Sequence, residues 1–327
     1  MELLIRNLGR SFTLAPGETV LNVIRSSGIS YSCEDGRCGM CRCRLVRGNV
    51  LEHVQPPRQT FGCPERYVLA CQTSLLDDCT IEVPDLRETV IHPPTRFRGR
   101  VLGVESLSDN VRLLRIGLDR PFQYSPGQCA ELELSRGLSR LYSMAGLSGD
   151  DELRFHVRMH PHGRASHMID KQLKAGDIVR IRGPYGTSFL RQRHTKPIMI
   201  LSAGTGLAPL LSILRAMAES RMLNPAHIYT GFMTREEAYG ISTLHEYIEK
   251  IPSVRGKFVL IGAGKIERGL RRGLLTEAID ADFDDLSDFR VHAFGSPFAI
   301  DAVVQLLRRK GVPEDHLHVD AFHSLWN

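Results

Sequence analysis

Hydrophobic and polar residues follow different patterns in successive parts of the chain. Between residues 97 and 190, apolar and polar positions alternate over short runs such as 111–118 and 153–159, separated by glycine and proline. Alternation with a period of two is typical of strands that bury one face. This part of the chain is therefore predicted to form a small antiparallel β-barrel, with one helix beginning near Arg164.

Continuous apolar runs replace this alternation after residue 197. The runs cover residues 197–202, 227–232, 257–262, 291–295 and 316–322, and helical stretches separate them. Buried strands that alternate with helices indicate an α/β domain with a doubly wound parallel sheet.

The first 92 residues contain shorter elements. Strands are predicted at 2–6, 11–15 and 79–84, and a helix is predicted from Thr19 to Ser27, closed by Gly28. The segment "IHPPTRFRG" is interpreted as a linker, because proline fits neither a helix interior nor a sheet interior. The predicted organisation is an α+β domain over 1–92, the barrel over 93–190 and the α/β domain over 191–327.

Composition and charge narrow the possible functions. The 327 residues are 42% hydrophobic and 24% charged, which is typical of a globular protein. The net charge of +5 is mild, and no basic run or zinc-finger spacing points to nucleic acid. Residues 93–190 hold 15 basic against 10 acidic side chains, as expected for a domain that binds an anionic ligand.

One stretch resembles a membrane span. Pro197 to Leu214 runs for eighteen residues without a charge, near the minimum for a transmembrane helix. Gly204, Gly206 and Pro209 interrupt its middle, which favours a buried strand, a tight turn and a helix. The N-terminus shows no secretory signal, so a cytoplasmic protein without membrane association is expected.

Four of the eight cysteines have a spacing that indicates a metal cluster. Cys33, Cys38 and Cys41 form C-x4-C-x2-C, and Cys71 follows thirty residues later. This is the plant-type ferredoxin spacing for a 2Fe-2S cluster. The alternatives are zinc, which would want a second close ligand pair, and a redox dithiol, which would open a helix in a βαβ unit. Clustered disulfides are typical of small secreted chains instead.

Glycines between these cysteines suit a cluster. Gly36 and Gly39 let the backbone approach closely and aim N–H groups at the sulfur atoms. The remaining cysteines are interpreted as structural thiols; they are Cys43, Cys63, Cys79 and Cys129.

With this cysteine pattern, "RLYSMAG" at 140–146 and "ILSAGTGLAPLL" at 200–211 extend a resemblance over the full chain. The sequence resembles the reductases of aromatic-ring dioxygenase systems, of the naphthalene-dioxygenase type. That family fuses a plant-type ferredoxin to FAD and NAD domains similar to those of ferredoxin–NADP reductase. The resemblance implies a β-grasp ferredoxin, an FAD-binding barrel and an NAD-binding domain, with a 2Fe-2S cluster, FAD and NADH as cofactors and NADPH as the alternative to NADH.

The family's flavin motif falls on a predicted barrel strand. By resemblance, Arg140 pairs with the flavin pyrophosphate, Tyr142 packs on the isoalloxazine and Ser143 bonds near its N5 atom. The guanidinium of arginine presents parallel N–H donors that match phosphate oxygens, and an aromatic face excludes water from a planar ring. His156 and Arg158, on another predicted strand, are included among the cofactor-binding residues.

The segment "HGRASHM" is the second flavin motif. A glycine just before a helix and a serine in its first turn are typical of a phosphate-binding site at a helix N-terminus. The alternative is an ordinary serine-capped helix. The candidate residues are Gly163, Arg164, Ala165 and Ser166.

The nucleotide motif opens the α/β domain. Gly204, Thr205 and Gly206 form a turn between strand and helix, and Pro209 follows in the first helical turns. The turn resembles the family's G-G-T-G-x-A-P, which receives the pyrophosphate of the nicotinamide dinucleotide. Gly295 and Pro297 belong to the family's later C-G-x-P motif.

Several positions depart from the family pattern. Ala203 replaces the first glycine of the turn, and Phe294 replaces the family's cysteine beside the nicotinamide. Met233 stands where relatives often have arginine, although Arg235 is nearby, so NADH is favoured over NADPH. Phe322 is the candidate for the C-terminal aromatic that covers the flavin; the alternative is a core phenylalanine. Ser143, Tyr142 and Phe322 are the predicted catalytic residues.

The resemblance implies an electron-transfer reductase. Electrons would pass from NADH through FAD and the cluster to a Rieske-type ferredoxin, or directly to a terminal dioxygenase. The reductase component of a multicomponent monooxygenase is the alternative within the same class. A zinc-binding module and a flavin sensor without reductase activity are the alternatives outside it.

Overall fold

The computed structural model describes residues 1–25, 36, 41–53, 66–83, 92–262 and 270–322. The chain divides into two compact units, Met1–Ile91 and His92–Asn327. We call them unit 1 and unit 2.

Unit 1 is built on a mixed sheet with one helix. Its elements are β1 (Glu2–Ile5), β2 (Arg10–Thr13), α1 (Val20–Ile24), β3 (Arg42–Arg47), β4 (Val50–Glu52), β5 (Tyr67–Leu69), β6 (Thr73–Leu75) and β7 (Cys79–Glu82). The strand order is β2-β1-β7-β3-β5, with β1 and β7 parallel and the other pairs antiparallel; β4 pairs with β6 separately. The predicted α+β class is confirmed for this part of the chain.

The helix of unit 1 packs its apolar side into the core. Val20, Leu21 and Ile24 are buried, and the helix begins after Thr19, as predicted. Its described part ends at Ile24, three residues before the predicted end; Ser27 and Gly28 lie outside the described residues. The helix therefore contributes about one and a half turns of described structure.

The first half of unit 2 is an antiparallel sheet. Its elements are β8 (Thr95–Ser108), β9 (Val111–Leu118), β10 (Cys129–Ser135), β11 (Leu138–Ser143), β12 (Glu152–Arg158), α2 (Arg164–Lys171) and β13 (Ile178–Tyr185). The strand order is β11-β10-β13-β8-β9-β12. A bridge between Met144 and Phe155 joins the two edge strands, so the sheet curls into the predicted barrel.

Alternation along these strands fills the barrel. In β12, for example, Leu153, Phe155 and Val157 are buried, while Arg154 between them is exposed. The linker prediction is corrected at one end: Thr95 already belongs to β8, because residues 95–100 pair with β13. Pro93 and Pro94 precede the strand, as expected for residues that cannot enter a sheet interior.

The second half of unit 2 is a parallel sheet with helices. Its elements are β14 (Ile198–Ala203), α3 (Leu207–Glu219), β15 (Ala226–Phe232), α4 (Ile241–Lys250), β16 (Val254–Leu260), β17 (Leu270–Arg272), α5 (Leu275–Asp282), β18 (Arg290–Gly295), α6 (Pro297–Arg309) and β19 (Leu317–Ala321). The order is β17-β16-β15-β14-β18-β19, and every pair is parallel. The predicted doubly wound sheet is confirmed.

The order of this sheet creates a crevice. The chain moves from β14 to β15 on one side, and β18 occupies the other side of β14. Ligands of such sheets bind at the carboxyl ends of the strands where the order reverses. That point lies between the ends of β14 and β18, at Gly204 and Gly295.

The uncharged stretch from Pro197 to Leu214 is divided as predicted. Its first part is β14, a short 3-10 turn covers Gly204–Gly206, and α3 begins at Leu207. Among the described residues, the helices are too short or too polar to cross a bilayer.

Candidate functional site

Two of the four predicted cluster ligands lie against each other in unit 1. Cys41 directly precedes β3, and Cys71 lies in a 3-10 turn between β5 and β6. The backbone N–H of Cys71 donates to Cys41 Sγ at 3.5 Å, and the N–H of Ala70 donates to the Cys41 carbonyl at 3.0 Å. Both thiols are buried. Cys33 and Cys38 lie outside the described residues.

The surroundings of this pair fit an iron–sulfur cluster. The side-chain amide of Gln72 points at Cys71 Sγ over 3.8 Å, and N–H donors of this kind tune a cluster's potential. Gly36 has a φ of +83°, and a Cβ there would lie 2.9 Å from Cγ of Gln72. A side chain at residue 36 would therefore displace the neighbour of Cys71. Gly39 lies outside the described residues.

The other described cysteines have ordinary core surroundings. Cys43, Cys79 and Cys129 are free and buried. Burial raises the pKa of the Cys43 thiol to about 12, and Cys79 Sγ donates to the Asn49 carbonyl at 3.3 Å. These features suit structural thiols; Cys63 lies outside the described residues.

The flavin motif lies on β11, at an edge of the barrel sheet. Arg140 is opposite Leu132 and Tyr142 is opposite Ala130, so both share the inner face of the sheet. The Tyr142 ring lies edge-on to Phe155, with centroids 6.4 Å apart. Burial raises the pKa of the Tyr142 phenol, which therefore stays neutral at physiological pH.

Part of the barrel's excess positive charge lies on the opposite face. Arg96, Arg98, Arg180 and Arg182 line a surface cavity of about 490 Å³ together with Glu131 and Glu133. Glu133 is opposite Ser139, whose side chain points away from the face that carries Arg140. These four arginines therefore lie away from the face that carries the flavin motif.

Ser143 connects the barrel to the parallel sheet. Its hydroxyl donates to Asp320 Oδ2 at 3.3 Å, and Asp320 lies near the carboxyl end of β19. Burial raises the pKa of Asp320 to about 6. Sequence reasoning missed Asp320, because a single aspartate on a predicted strand carries no motif. One feature of the sequence could have indicated Asp320: it is an acidic residue inside an apolar run, just before the candidate aromatic Phe322.

The second flavin motif begins α2. Arg164, Ala165 and Ser166 form its first turn, and Gly163 precedes them. The Ser166 hydroxyl donates to the Gly163 carbonyl at 3.0 Å and accepts from the His160 N–H at 3.2 Å. The serine therefore shapes the approach loop, and the N–H groups of the first helical turn have no side-chain cap.

His156 and Arg158 turn from β12 toward the α/β half of unit 2. His156 Nδ1 lies 3.0 Å from the hydroxyl of Tyr239, and burial lowers the pKa of its imidazole to about 4. Arg158 Nη2 donates to Glu237 Oε1 at 2.5 Å. The segment after β15 is therefore held on β12 by these two residues.

The glycine turn lies at the sheet crevice. Gly204 has a φ of +58°, and a Cβ there would lie 3.3 Å from Arg158 Nη1. Gly206 packs so closely that a Cβ would lie 2.3 Å from the carbonyl oxygen of Phe294. Thr205 lies between them, and Pro209 occupies a buried position in the first turn of α3. The first turn of α3 holds no acidic residue, which suits an anion at its N-terminus.

The later glycine–proline motif borders the same crevice. Gly295 ends β18, and Pro297 is the first residue of α6. Phe294 is fully buried in the core beside α3. Its ring therefore replaces the family's thiol with a packed side chain.

Three further candidates lie at the carboxyl ends of the strands. The N–H of Phe322 donates to the Gly295 carbonyl at 2.8 Å, and its partly buried ring packs against the core of the parallel sheet. This packing agrees with the core alternative stated above, and the covering role stays a prediction. Met233 follows β15 with 53% of its surface exposed, and the Arg235 carbonyl accepts from the N–H of Ala238 at 3.0 Å.

Two family models match the chain. A 2Fe-2S iron-sulfur cluster binding domain matches residues 4–76, and an oxidoreductase FAD-binding domain matches residues 98–189.

Known proteins are similar over the whole length. The ferredoxin–NAD(P)+ reductase component of the naphthalene 1,2-dioxygenase system of Pseudomonas putida is 39% identical over 325 residues, 99% of each chain. The reductase component of the naphthalene 1,2-dioxygenase/salicylate 5-hydroxylase systems of Ralstonia sp. has the same identity and coverage. The crystal structure of Amycolatopsis cytochrome P450 reductase GcoB aligns with a TM-score of 0.74 and 28% identity, covering 98% of each chain.

Proposed function

Because the chain belongs to the family of ferredoxin–NAD(P)+ reductase components of ring-hydroxylating dioxygenase systems, we propose that it carries electrons from NAD(P)H to an external acceptor protein. It is an oxidoreductase with a 2Fe-2S ferredoxin domain and an FAD-binding domain. The observation that carries the proposal is the 3.3 Å contact between Ser143 on the barrel and Asp320 on the parallel sheet. It joins the flavin-motif strand to the carboxyl edge of the parallel sheet, where the nucleotide would bind.

Bound FAD would convert the two-electron chemistry of a nicotinamide into the one-electron chemistry of an iron–sulfur cluster. The remaining roles belong to the chain itself. Arg140 and the N-terminus of α2, with Gly163, Arg164, Ala165 and Ser166, would bind the flavin's phosphates. Tyr142 would cover the ring and keep water away from it.

Ser143 and Asp320 are proposed to handle a proton. Asp320 Oδ2 accepts the Ser143 hydroxyl, and its pKa of about 6 allows the carboxyl group to exchange a proton near neutral pH. With a flavin bound beside β11, the Asp320 carboxyl and the Ser143 hydroxyl would supply and accept the proton that its redox chemistry requires.

The nucleotide would bind at the crevice between β14 and β18. Gly204, Thr205, Gly206 and the first turn of α3 would receive its pyrophosphate, with Pro209, Gly295 and Pro297 shaping the site. We assign Arg158 to this pyrophosphate rather than to the flavin, because its guanidinium faces the turn at Gly204. NADH remains favoured over NADPH because Met233 offers no charge for a 2′-phosphate.

The cluster would be held by Cys33, Cys38, Cys41 and Cys71, of which Cys41 and Cys71 lie together. We retain domain boundaries at 1–92, 93–190 and 191–327, and a catalytic role for Phe322 as the covering aromatic. The buried thiols of Cys43, Cys79 and Cys129, which form no disulfide among the described residues, support a reducing, cytoplasmic location.

The proposed acceptor is a Rieske-type ferredoxin or the terminal dioxygenase. The second candidate is the reductase of a monooxygenase system. It is kept because the structure is similar to that of a cytochrome P450 reductase. Acceptor choice is tested by supplying each purified oxygenase component and measuring product formation.

The reductase function is tested by anaerobic NADH titration of the purified protein, followed by its visible spectrum. Wild type is expected to bleach at both flavin and cluster wavelengths. Cys71→Ala should lose iron, acid-labile sulfide and cluster absorbance while the flavin still bleaches; Cys79→Ala, at a buried thiol outside the ligand set, should keep all three. Zinc without sulfide in wild type would refute the cluster, and unbleached flavin would refute the reductase.

A further inference from the structure

Glu237 forms an ion pair with the guanidinium of Arg158, and this guanidinium faces the glycine turn. Arg158 Nη2 donates to Glu237 Oε1 at 2.5 Å, while Arg158 Nη1 is 3.3 Å from the Cβ position of Gly204. The same side chain therefore reaches a carboxylate on one side and the nucleotide turn on the other. The pair is partly shielded, with 34% of the arginine and 16% of the glutamate side chain exposed.

The glutamate is only half satisfied. Asn110 Nδ2 donates to Glu237 Oε1 at 3.0 Å, so both described partners use the same oxygen. Glu237 Oε2 is buried and has no hydrogen-bond partner. A buried carboxylate oxygen without a donor is energetically costly, so this pairing stabilises the free protein less than a bidentate arginine–carboxylate pair would.

The segment stays attached to β12 without the ion pair. Tyr239 lies edge-on to His156, with centroids 5.4 Å apart and a 3.0 Å contact between its hydroxyl and Nδ1. Burial keeps His156 neutral, so this second contact needs no charge. Release of Arg158 by Glu237 therefore does not detach the segment.

We propose that Glu237 is a built-in competitor of the pyridine nucleotide: it holds Arg158 in the free protein and yields it to the nucleotide pyrophosphate. This inference rests on the nucleotide site proposed above. Arginine binds phosphate oxygens with two parallel donors, which a carboxylate with a single engaged oxygen does not match. Glu237 thus lowers nucleotide affinity and eases release of the oxidised nucleotide.

The test measures the dissociation constant of ADP-ribose by calorimetry on the full, flavin-loaded protein. ADP-ribose carries the pyrophosphate but transfers no hydride, so the measurement is independent of turnover. Glu237→Gln keeps the acceptor for Asn110 and removes the charge; it should bind about two- to fivefold tighter, the range for a partly exposed ion pair. Arg158→Gln should bind about tenfold weaker or more, as expected for a lost charged hydrogen bond.

Two controls separate competition from general electrostatics and from misfolding. Glu236→Gln makes the same charge change at the neighbouring exposed residue and should leave affinity unchanged. In the double variant Arg158→Gln/Glu237→Gln, the gain from Glu237→Gln should disappear, because there is no guanidinium to release. A gain in affinity cannot result from misfolding.

The inference is overturned if Glu237→Gln binds ADP-ribose no tighter than wild type, or if its gain persists without Arg158. Both results leave the reductase proposal intact. If wild type binds neither ADP-ribose nor NADH, the nucleotide site itself fails, and the inference fails with it.

Discussion

The helices α2 and α3 begin in physically different ways, although both are assigned to bind phosphate groups. Before α2, a side chain holds the loop: the Ser166 hydroxyl bonds to backbone atoms of Gly163 and His160. Before α3, close backbone packing fixes the turn: Gly206 packs against the Phe294 backbone with no room for a Cβ. A loop held by a rotatable hydroxyl can adjust, whereas a turn packed on backbone cannot.

The surroundings explain the difference. The starting turn of α2 is only partly enclosed: Arg164 is exposed, while Ala165 and Ser166 are buried. The start of α3 is enclosed by β14, β18 and the apolar core, with Leu207, Ala208 and Pro209 all buried. Close packing transmits strain, so equal substitutions should have unequal effects at the two sites.

The largest expected effect contrasts Gly206→Ala with Gly163→Ala. A Cβ at Gly206 would lie 2.3 Å from a backbone oxygen, and we expect a loss of about 3 kcal/mol in the free energy of unfolding, with loss of NADH binding. A Cβ at Gly163 would meet the Ser166 hydroxyl at 2.5 Å, which can rotate, and His160 Cβ at 2.9 Å, which requires a small shift of the loop, so a smaller loss of about 1–2 kcal/mol is expected.

Denaturant unfolding and NADH binding measure both variants. Gly149→Ala is the control, because open space surrounds that position. Equal losses at Gly206 and Gly163 would break the proposed contrast between backbone and side-chain packing.

The next effect concerns the left-handed residue of the turn. Gly204→Ala places a Cβ at φ +58° and 3.3 Å from Arg158 Nη1. The backbone penalty is about 1–2 kcal/mol, and we expect NADH to bind about tenfold weaker while FAD is retained. Fluorescence titration with NADH and the flavin content of the purified variant measure this. Loss of FAD together with NADH affinity would show that the turn also shapes the flavin site.

A smaller effect is expected at the start of α2. Ser166→Ala removes hydrogen bonds within the loop and should lower the free energy of unfolding by about 1 kcal/mol. FAD should dissociate faster, while the flavin-loaded fraction binds NADH as wild type does. Ser220→Ala, at the far end of α3, is the control. Unchanged flavin release would contradict a role for this loop in the flavin site.

The smallest expected effect is a pH dependence of stability. It arises at Asp320, which connects the two halves of unit 2. The pKa of Asp320 is raised to about 6, so between about pH 4 and 6 the folded state binds more protons than the unfolded state. The contribution of Asp320 to stability is therefore greatest at low pH and is lost as the pH rises through 6.

Asp320→Asn removes this titration. The stability of the variant relative to wild type should rise between pH 4 and 6 and level off above pH 7, as measured by denaturant unfolding. Asp288→Asn, at an exposed carboxylate, provides the baseline. A constant difference for Asp320→Asn over this range would show that the carboxyl group is not held in its protonated form.

Much of the fold could be predicted because pattern and burial are directly linked. Alternation revealed the barrel strands, and continuous apolar runs revealed the parallel sheet. The three-residue strands β4, β5, β6 and β17 were not predicted, since a run of that length cannot display a period. The predicted C-terminal end of the linker was wrong. Thr95 and Arg96 belong to β8 because their backbone pairs with a neighbouring strand, and the pattern of side chains does not report such pairing.

The candidate site was predictable where neighbours in sequence act together. The glycine turn, the start of α2 and the β11 motif each lie on one continuous segment. The partners of Arg158, His156 and Ser143 were not predictable, since each lies more than seventy residues away. Glu237 and Asp320 belong to no local motif and acquire a role only through these contacts.

Sequence alone determined which elements form and which family the chain resembles, because periodicity, glycine turns and cysteine spacing act over a few residues or through a fixed set of ligands. Only the tertiary structure decided which polar and charged groups face each other. It brought Asp320 to Ser143 and Glu237 to Arg158, since electrostatic pairing depends on distance in space, and that distance is set by how the barrel and the parallel sheet pack.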